Sequence, residues 1–233
     1  MELLSFGDRG WGDELARATA MTIAVASCAF LLGLVVGSIG TYAKLSRSIV
    51  VATAADAYTT IVRGIPELLI IYLLFFGGSG ALMFFARMFG HTGYVEINAF
   101  ATGVCAIAIV NGAYSLEVIR GAVLAVPRGQ IEAAKAFGMS PWILFRRVLA
   151  PQVLRFALPG LGNVWQLALK ETALISVTGL VEIMRQSTVG AGSTKQPFTF
   201  YAVACVLYLT LTTVSGFGFS RAERWANRGV RSA

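Results

Sequence analysis

Two charged residues, Lys170 and Glu171, interrupt an apolar stretch that runs from residue 156 to residue 181. If this stretch crosses a membrane, a charge at its centre costs about 2.5–3.5 kcal/mol, so both must face a bundle interior or a wet cavity. The two charges could simply be neutralised, by each other or by other helices. A purely structural pair could be replaced by apolar packing without loss, which favours a role in binding or gating a solute. Because Glu171 is acidic, it predicts a cationic solute. Thr172, the next residue, is expected to contact the solute as well.

A second group of polar residues accumulates at the end of the apolar stretch from 97 to 116. It consists of Asn111, Tyr114, Ser115 and Glu117. These side chains cannot all face lipid, so they either form hydrogen bonds between packed helices or line a polar passage. Glu117 and Arg120 are three residues apart, and we expect them to form an ion pair where the helix leaves the membrane.

A third polar break reads Arg-Gly-Ile-Pro-Glu over residues 63–67. Pro66 removes a backbone donor and disfavours helix at the residue before it, so the break predicts a kinked helix. Arg63 and Glu67 are four residues apart and are expected to pair across the kink. Such a pair could be structural or could take part in gating or transport.

The last candidate segment is a basic stretch over residues 129–151. Gly138 suits the left-handed residue after a helix end, and Ser140 followed by Pro141 suits the start of a second helix. Residues three apart give each helix one apolar face: Ile131, Ala134 and Phe137 in the first, and Trp142, Phe145 and Val148 in the second. Helices shorter than about 12–15 residues are marginal alone in water, so we expect this stretch to dock against a partner.

The composition is that of a membrane protein. Of the 233 residues, 56% are hydrophobic and 13% are charged, against about 25% charged in typical soluble domains. A helix crosses the hydrocarbon with about 20 residues, and five stretches qualify: 19–43, 68–86, 97–116, 156–181 and 197–220. The predicted fold is an all-α integral membrane domain with five transmembrane helices over residues 19–220, between an outer segment, 1–18, and a tail, 221–233.

The basic residues predict the orientation of the chain. Five spans place the termini on opposite sides, and most of the 19 Lys and Arg residues share one side if the C-terminus is cytoplasmic. The N-terminus is then outside, the stretch 129–151 is cytoplasmic, and the polar residues 182–197 form an external loop. The net charge of +7 therefore indicates membrane sidedness and contact with lipid headgroups, and no nucleic-acid binding is expected.

Motifs for enzyme chemistry are missing from the sequence. It contains no GxxxxGK[ST], HExxH or GxSxG pattern, so we expect no catalytic residue and no ATP hydrolysis by this chain. The single histidine, His91, has no companion for a metal site. Cys28, Cys105 and Cys205 lie in apolar stretches and are expected to be inert core residues.

The basic stretch resembles the EAA loop of bacterial ATP-binding-cassette (ABC) importer permeases. The residues that carry this resemblance are Glu132-Ala133-Ala134, Gly138 six residues after the glutamate, Val148 and Pro151. Residues 112–114, 117–122 and 169–174 resemble the polar amino acid branch of these permeases, which imports histidine, lysine, arginine and ornithine, or the opines octopine and nopaline. One departure is Ala150, where the motif usually has leucine.

This resemblance implies the type I importer permease fold and transport by alternating access. The loop 127–151 would form coupling helices that enter a groove on a cytoplasmic ATPase. The residues implied in coupling are Glu132, Ala133, Ala134 and Gly138, with Arg146 and Arg147 as additional contacts. Solute binding or gating is expected first from Glu171 and Thr172, and then from Lys170, Asn111, Tyr114, Ser115, Glu117 and Arg63.

The resemblance also implies partners in the bacterial inner membrane. These are two copies of an ABC ATPase, which hold ATP and Mg²⁺, a homologous permease or a second copy of this chain, a periplasmic solute-binding protein, and membrane lipid. The chain itself is expected to bind no cofactor. The expected function is ATP-driven import of polar, cationic amino acids or opines; a membrane-anchored sensor or scaffold is the alternative.

Overall fold

The computed structural model describes residues 2–7, 10–78, 80, 83, 88 and 98–228. A 3-10 helix, Glu2–Leu4, is followed by α1 (Gly12–Lys44), α2 (Ile49–Gly64), α3 (Glu67–Tyr72), α4 (Ala99–Ala125), α5 (Arg128–Ala136), α6 (Pro141–Leu144), α7 (Ala150–Glu171), α8 (Ile183–Thr194) and α9 (Pro197–Ala226). Two π-helical turns, Leu73–Gly77 and Phe145–Leu149, extend α3 and α6, and a 3-10 segment, Thr172–Thr178, extends α7. The predicted all-helical fold is confirmed.

Three of these helices, α1, α4 and α9, are long and apolar enough to cross a membrane. The helices α2 and α3 add a fourth span only if they are counted as one, because they are bent by 107° at their break. The described residues thus provide three or four spans, and the predicted five are not confirmed. The predicted span 156–181 falls short because α7 mixes Asn163, Gln166, Lys170 and Glu171 with its apolar residues and ends at Glu171.

Parts of the predicted topology lie outside the described residues. The predicted span 68–86 is described as far as residue 78 and at two later positions. Most of the loop 87–96, including His91, and the last five residues of the tail also lie outside this part of the chain.

The bundle is built around α1 and α4, which share the most extensive contact between any two of the described helices. Gly33 lies against Asn111 and Gly37 against Ser115, so the two helices run in the same direction, as the predicted first and third spans require. A Cβ atom at Gly37 would come within 2.6 Å of the Ser115 Cβ, so glycine permits this close approach. An apolar core then forms from α1, α3, α4, α7 and the 3-10 segment, with Val25, Ala29, Ile71, Val104, Ala106, Ile107, Ala168 and Ile175 buried together.

The break between α2 and α3 confirms the predicted kink. Ile65 is extended, with φ −102° and ψ 139°, because the proline that follows it disfavours the helical conformation. The helix resumes at Glu67 in a new direction. The chain therefore places the first turn of α3 against the core of the bundle, where Ile70 and Ile71 are buried.

Two local predictions are wrong. The polar residues 182–197 are mostly helix, because Glu182 caps α8 and the helix buries Gln186 and Ser187 against its neighbours. The three cysteines are exposed rather than buried in the core. An apolar stretch in a membrane bundle has faces toward lipid as well as toward other helices, so apolar sequence alone does not identify the core.

Candidate functional site

Glu171 is the last residue of α7 and is buried in the bundle, with 2% of its surface exposed. The side chain of Asn111 reaches it from α4: Nδ2 donates a hydrogen bond to Glu171 Oε2 and another, of 3.2 Å, to the Ile107 carbonyl. Asn111 itself is fully buried. The structure thus brings together two polar residues that the sequence predicted on separate helices, 60 positions apart.

A third residue, Glu67, completes this group. Its carboxyl group lies close enough to that of Glu171 for the two to interact electrostatically. Glu67 is the first residue of α3, so the break at Pro66 directs it toward the end of α7. We call Glu67, Asn111 and Glu171 the central polar cluster. Sequence reasoning assigned Glu67 to an ion pair instead; the signal it missed was an acidic residue immediately after a proline break in an apolar region.

Several buried polar atoms at the centre have no hydrogen-bond partner within the described part of the chain. They are Glu171 Oε1, Asn111 Oδ1 and, one helical turn further along α4, Ser115 Oγ. Leaving a buried polar group unsatisfied costs about 1–3 kcal/mol. The centre of the bundle therefore favours a polar guest that can donate hydrogen bonds to Oε1 and Oδ1, and a cationic group is such a donor.

The predicted pair between Arg63 and Glu67 is not among the ion pairs of the described residues. The guanidinium of Arg63 instead lies over the ring of Tyr114, 5.2 Å from its centroid, as in a cation–π contact. The bend between α2 and α3 explains this result, because the spacing of four residues brings side chains together only on a continuous helix.

The two neighbours of Glu171 differ in burial: Lys170 is exposed and Thr172 is buried. Lys170 is exposed on the surface of the chain, because adjacent residues on an α-helix point about 100° apart. Of the two predicted environments, a bundle interior or a wet cavity, Lys170 therefore does not have the first within this chain. Thr172 is fully buried; its hydroxyl donates to the Leu169 carbonyl at 2.7 Å and lies 3.2 Å from the Tyr208 hydroxyl.

Two further polar residues, Tyr208 and Glu182, connect to Thr172. Neither of them was identified from the sequence. The Tyr208 hydroxyl donates a 2.9 Å hydrogen bond to Glu182 Oε2. Glu182 is fully buried and caps α8 by accepting hydrogen bonds from the backbone amides of Met184 and Arg185, at 2.8 and 2.6 Å. The hydrogen bonds from Thr172 through Tyr208 to Glu182 link the end of α7 to α9 and α8.

Glu117 belongs to a separate ionic group at one end of the bundle. It accepts hydrogen bonds from Arg120, at 2.9 Å, which confirms the predicted pair, and from Lys44. Lys44 also lies 2.6 Å from Asp56, so it connects α1 to both α2 and α4. Through these contacts Glu117 links α4 to α1, and it is not part of the central polar cluster.

The predicted two short helices with a turn form a helical hairpin over residues 128–149, which contains α5, α6 and the π-helical turn. Gly138 has a left-handed φ of 72°, as predicted. The Met139 amide donates to the Ala134 carbonyl at 3.1 Å and the Gly138 amide to the Lys135 carbonyl at 2.9 Å. This pair of bonds is the Schellman motif, which closes a helix end through glycine.

The helical hairpin exposes much of its apolar surface. Phe137 is 85% exposed and Trp142 66%, with Trp142 stacked on Phe145 at 5.9 Å between ring centroids. Of the residues predicted for coupling, Glu132, Ala133, Gly138, Arg146 and Arg147 are exposed, whereas Ala134 is 4% exposed and packs inward. An exposed apolar face rimmed by charged residues is typical of a protein-binding surface.

Comparisons with known proteins place these features in context. Residues 29–222 match the family model described as "Binding-protein-dependent transport system inner membrane component". The chain is 60% identical over 233 residues to the nopaline transport system permease protein NocQ of Agrobacterium fabrum, covering all of this chain and 99% of that one. It is 37% identical over 224 residues to the histidine/lysine/arginine/ornithine transport system permease protein HisQ of Escherichia coli, covering 96% of this chain and 98% of that one.

Two solved structures share the fold of this chain. A chain from an amino acid ABC transporter crystallised with histidines is 30% identical and superposes with a TM-score of 0.77, covering 92% of this chain and 94% of that one. A chain of the inward-facing methionine transporter MetNI is 18% identical and superposes with a TM-score of 0.72, covering 94% and 98%. The second likeness, at lower identity, concerns the fold alone.

Proposed function

The chain belongs to the family of binding-protein-dependent transport system inner membrane components and is a permease subunit of an ABC transporter of amino acids or opines. We propose that it carries cationic solutes past the central polar cluster. The observation that carries this proposal is the burial of Glu171 with an unpartnered oxygen, next to a second acidic residue, Glu67. Two acidic side chains in a low-dielectric site favour a cation strongly over an anion.

The names of the relatives support a cationic solute. HisQ serves histidine, lysine, arginine and ornithine, and most of these amino acids carry a basic side chain. At 60% identity, NocQ adds nopaline as a candidate solute. The cluster would bind the basic group through Glu171 and Glu67, while the unpartnered Asn111 Oδ1 accepts a further hydrogen bond from it.

The position of Lys170 supports a second permease subunit. A cation on a membrane-embedded surface is expensive unless it faces protein or water. Lys170 is exposed on this chain, one residue from Glu171. We infer that a second permease, either a homologue or another copy of this chain, covers this surface, and that the solute passes between the two subunits.

The helical hairpin supports coupling to a separate ATPase. Its exposed Phe137 and Trp142 would enter a groove on that subunit, where Glu132, Arg146 and Arg147 would contribute polar contacts. We propose two ATPase copies that hold ATP and Mg²⁺, and a periplasmic solute-binding protein on the opposite face.

The chain is a multi-pass protein of the inner membrane, and we propose that its N-terminus is outside and its C-terminus cytoplasmic. A sensor or scaffold is not favoured, because the named relatives are permeases.

Uptake into proteoliposomes tests the proposed solute class. In the complete transporter, Glu171→Gln keeps the shape of the side chain but removes its charge. We expect the KM for arginine to rise about 30-fold or more, since breaking a buried charge pair costs about 2 kcal/mol or more.

The matched control is Glu223→Gln, which changes an acidic residue near the end of α9, outside the central polar cluster. It should leave the KM unchanged. If Glu171→Gln transports arginine with the wild-type KM, Glu171 does not bind the cationic group. If neither cationic amino acids nor opines compete for uptake by the wild type, the proposed solute class itself is wrong.

A further inference from the structure

A groove of about 880 Å³ opens between α1, α4 and α7 at the ends nearest the helical hairpin. Its walls are mainly apolar and include Leu34 from α1, Leu45 just after α1, Val123 from α4, and Leu154 and Leu161 from α7. Phe145 of the helical hairpin closes one side. Leu45, Phe145 and Leu154 remain 42%, 48% and 42% exposed, so the described chain leaves this apolar surface uncovered.

The length of the groove corresponds to one leaflet of a bilayer. The lining runs from Leu34 in α1 to Leu45, the residue after α1, and along α7 from Ala150 to Leu161. Eleven residues of α-helix rise about 16 Å, which is roughly half of the hydrocarbon thickness of about 30 Å. The groove therefore starts near the middle of the membrane and ends at one surface.

The end of the groove at the membrane surface is polar and cationic. Arg47 lines it together with the hydroxyl-bearing Ser46, just beyond the end of α1. Arg47 is exposed and takes part in none of the ion pairs found among the described residues. Arg146 and Arg147 are also exposed, next to the lining residue Phe145. Basic sites between membrane helices on the cytoplasmic side suit the headgroups of anionic lipids.

We propose that this groove binds one anionic phospholipid of the cytoplasmic leaflet, with its phosphate at Arg47 and an acyl chain against Leu34, Leu154 and Leu161. The choice of leaflet rests on the orientation proposed above. An apolar interior as long as one leaflet, with a cation at its mouth, matches the apolar chains and anionic headgroup of a phospholipid. Because Phe145 lines the same groove, the bound lipid contacts both the helical hairpin and the bundle and stabilises their packing.

Native mass spectrometry of the complete transporter tests this proposal. The complex is extracted from nanodiscs that contain equal amounts of phosphatidylglycerol and phosphatidylcholine, and the lipids that survive mild delipidation are counted. We expect the wild type to retain one phosphatidylglycerol for each copy of this chain. Arg47→Gln should reduce that retention about fivefold, because each basic residue near a membrane surface contributes about that factor to anionic lipid binding. Leu154→Trp, which fills the groove from an exposed position, should abolish it.

The matched control is Arg221→Gln, which removes an exposed basic residue of the tail that does not line the groove. It should retain as much phosphatidylglycerol as the wild type. Wild-type retention in both Arg47→Gln and Leu154→Trp would overturn the proposal, as would equal loss in the control. Cross-linking of Leu154→Cys to a second permease, without retained lipid, would assign the groove to that subunit instead. Lipid counting needs no transport, so its failure is distinguishable from failure of the proposed solute class.

Discussion

The centre of the bundle buries polar groups, whereas the helical hairpin exposes apolar ones. Glu171 and Asn111 are 2% and 0% exposed, while Phe137 and Trp142 are 85% and 66% exposed. Both arrangements are the reverse of what solvation favours in an isolated chain. The difference lies in what surrounds each region: α3, α4 and α7 enclose the central polar cluster, but no element of the described chain covers the apolar face of the hairpin. Substitutions at the centre should therefore affect stability and solute binding, and those of exposed apolar residues on the hairpin should affect assembly.

Phe137→Ser should give the largest separation between the two regions. Truncating a central interface aromatic typically costs about 2 kcal/mol, so affinity for the purified ATPase should fall about 30-fold. The thermal stability of the isolated chain should hardly change, because Phe137 is 85% exposed. Binding of the ATPase to permease in nanodiscs, measured by biolayer interferometry, gives the affinity.

The matched control for Phe137 is Phe198→Ser at the start of α9, since Phe198 is 86% exposed but is not on the hairpin. It should leave ATPase affinity unchanged. Equal weakening by both substitutions would mean that the exposed face of the hairpin is not a specific docking surface.

A smaller effect is expected from the turn of the hairpin. Gly138→Ala places a Cβ atom at a left-handed φ of 72°, which costs about 1–2 kcal/mol, so uptake in proteoliposomes should fall about tenfold. Gly129→Ala is the control, because Gly129 lies inside α5 and has open space around it. It should transport normally. Uptake that falls equally in both variants would argue against a special requirement for this turn.

The smallest effect concerns the hydrogen bonds that support the centre. Tyr208→Phe removes the hydroxyl that contacts Glu182 and Thr172. A buried hydrogen bond contributes about 1 kcal/mol, which corresponds to a lower melting temperature by about 2–4 °C in a chain of this size. Tyr201→Phe on the same helix is the control. If the melting temperature of Tyr208→Phe equals that of the control, the polar chain to Glu182 does not stabilise the bundle.

Local features of the fold were predictable from the sequence because they depend on a few neighbouring residues. Pro66 indicated the break between α2 and α3, and Gly138 indicated the turn of the hairpin. The ion pair of Glu117 with Arg120 followed from their spacing on one helix. The burial of Glu171 followed from its position in an apolar stretch, because a membrane interior leaves few alternatives for a charge.

Features that depend on how helices meet were not predictable in the same way. The sequence indicates a kink at Pro66 but not its angle of 107°, and this angle separates Arg63 from Glu67 and brings Glu67 to Glu171. Lys170 faces outward because the helix rotates between adjacent residues, a direction that its apolar surroundings did not indicate. Glu182 looked like the first residue of a loop because its long-range hydrogen-bond partner, Tyr208, lies 26 positions away.

Equilibrium binding of radiolabelled arginine to the purified transporter tests most directly whether Glu171 receives the cationic solute. The measurement is made without ATP, so it reports on the central polar cluster and not on the helical hairpin. The wild type and Glu223→Gln should bind arginine equally, and Glu171→Gln should bind it about 30-fold more weakly or worse. Undiminished binding by Glu171→Gln would contradict the assignment of the buried acid as the solute site.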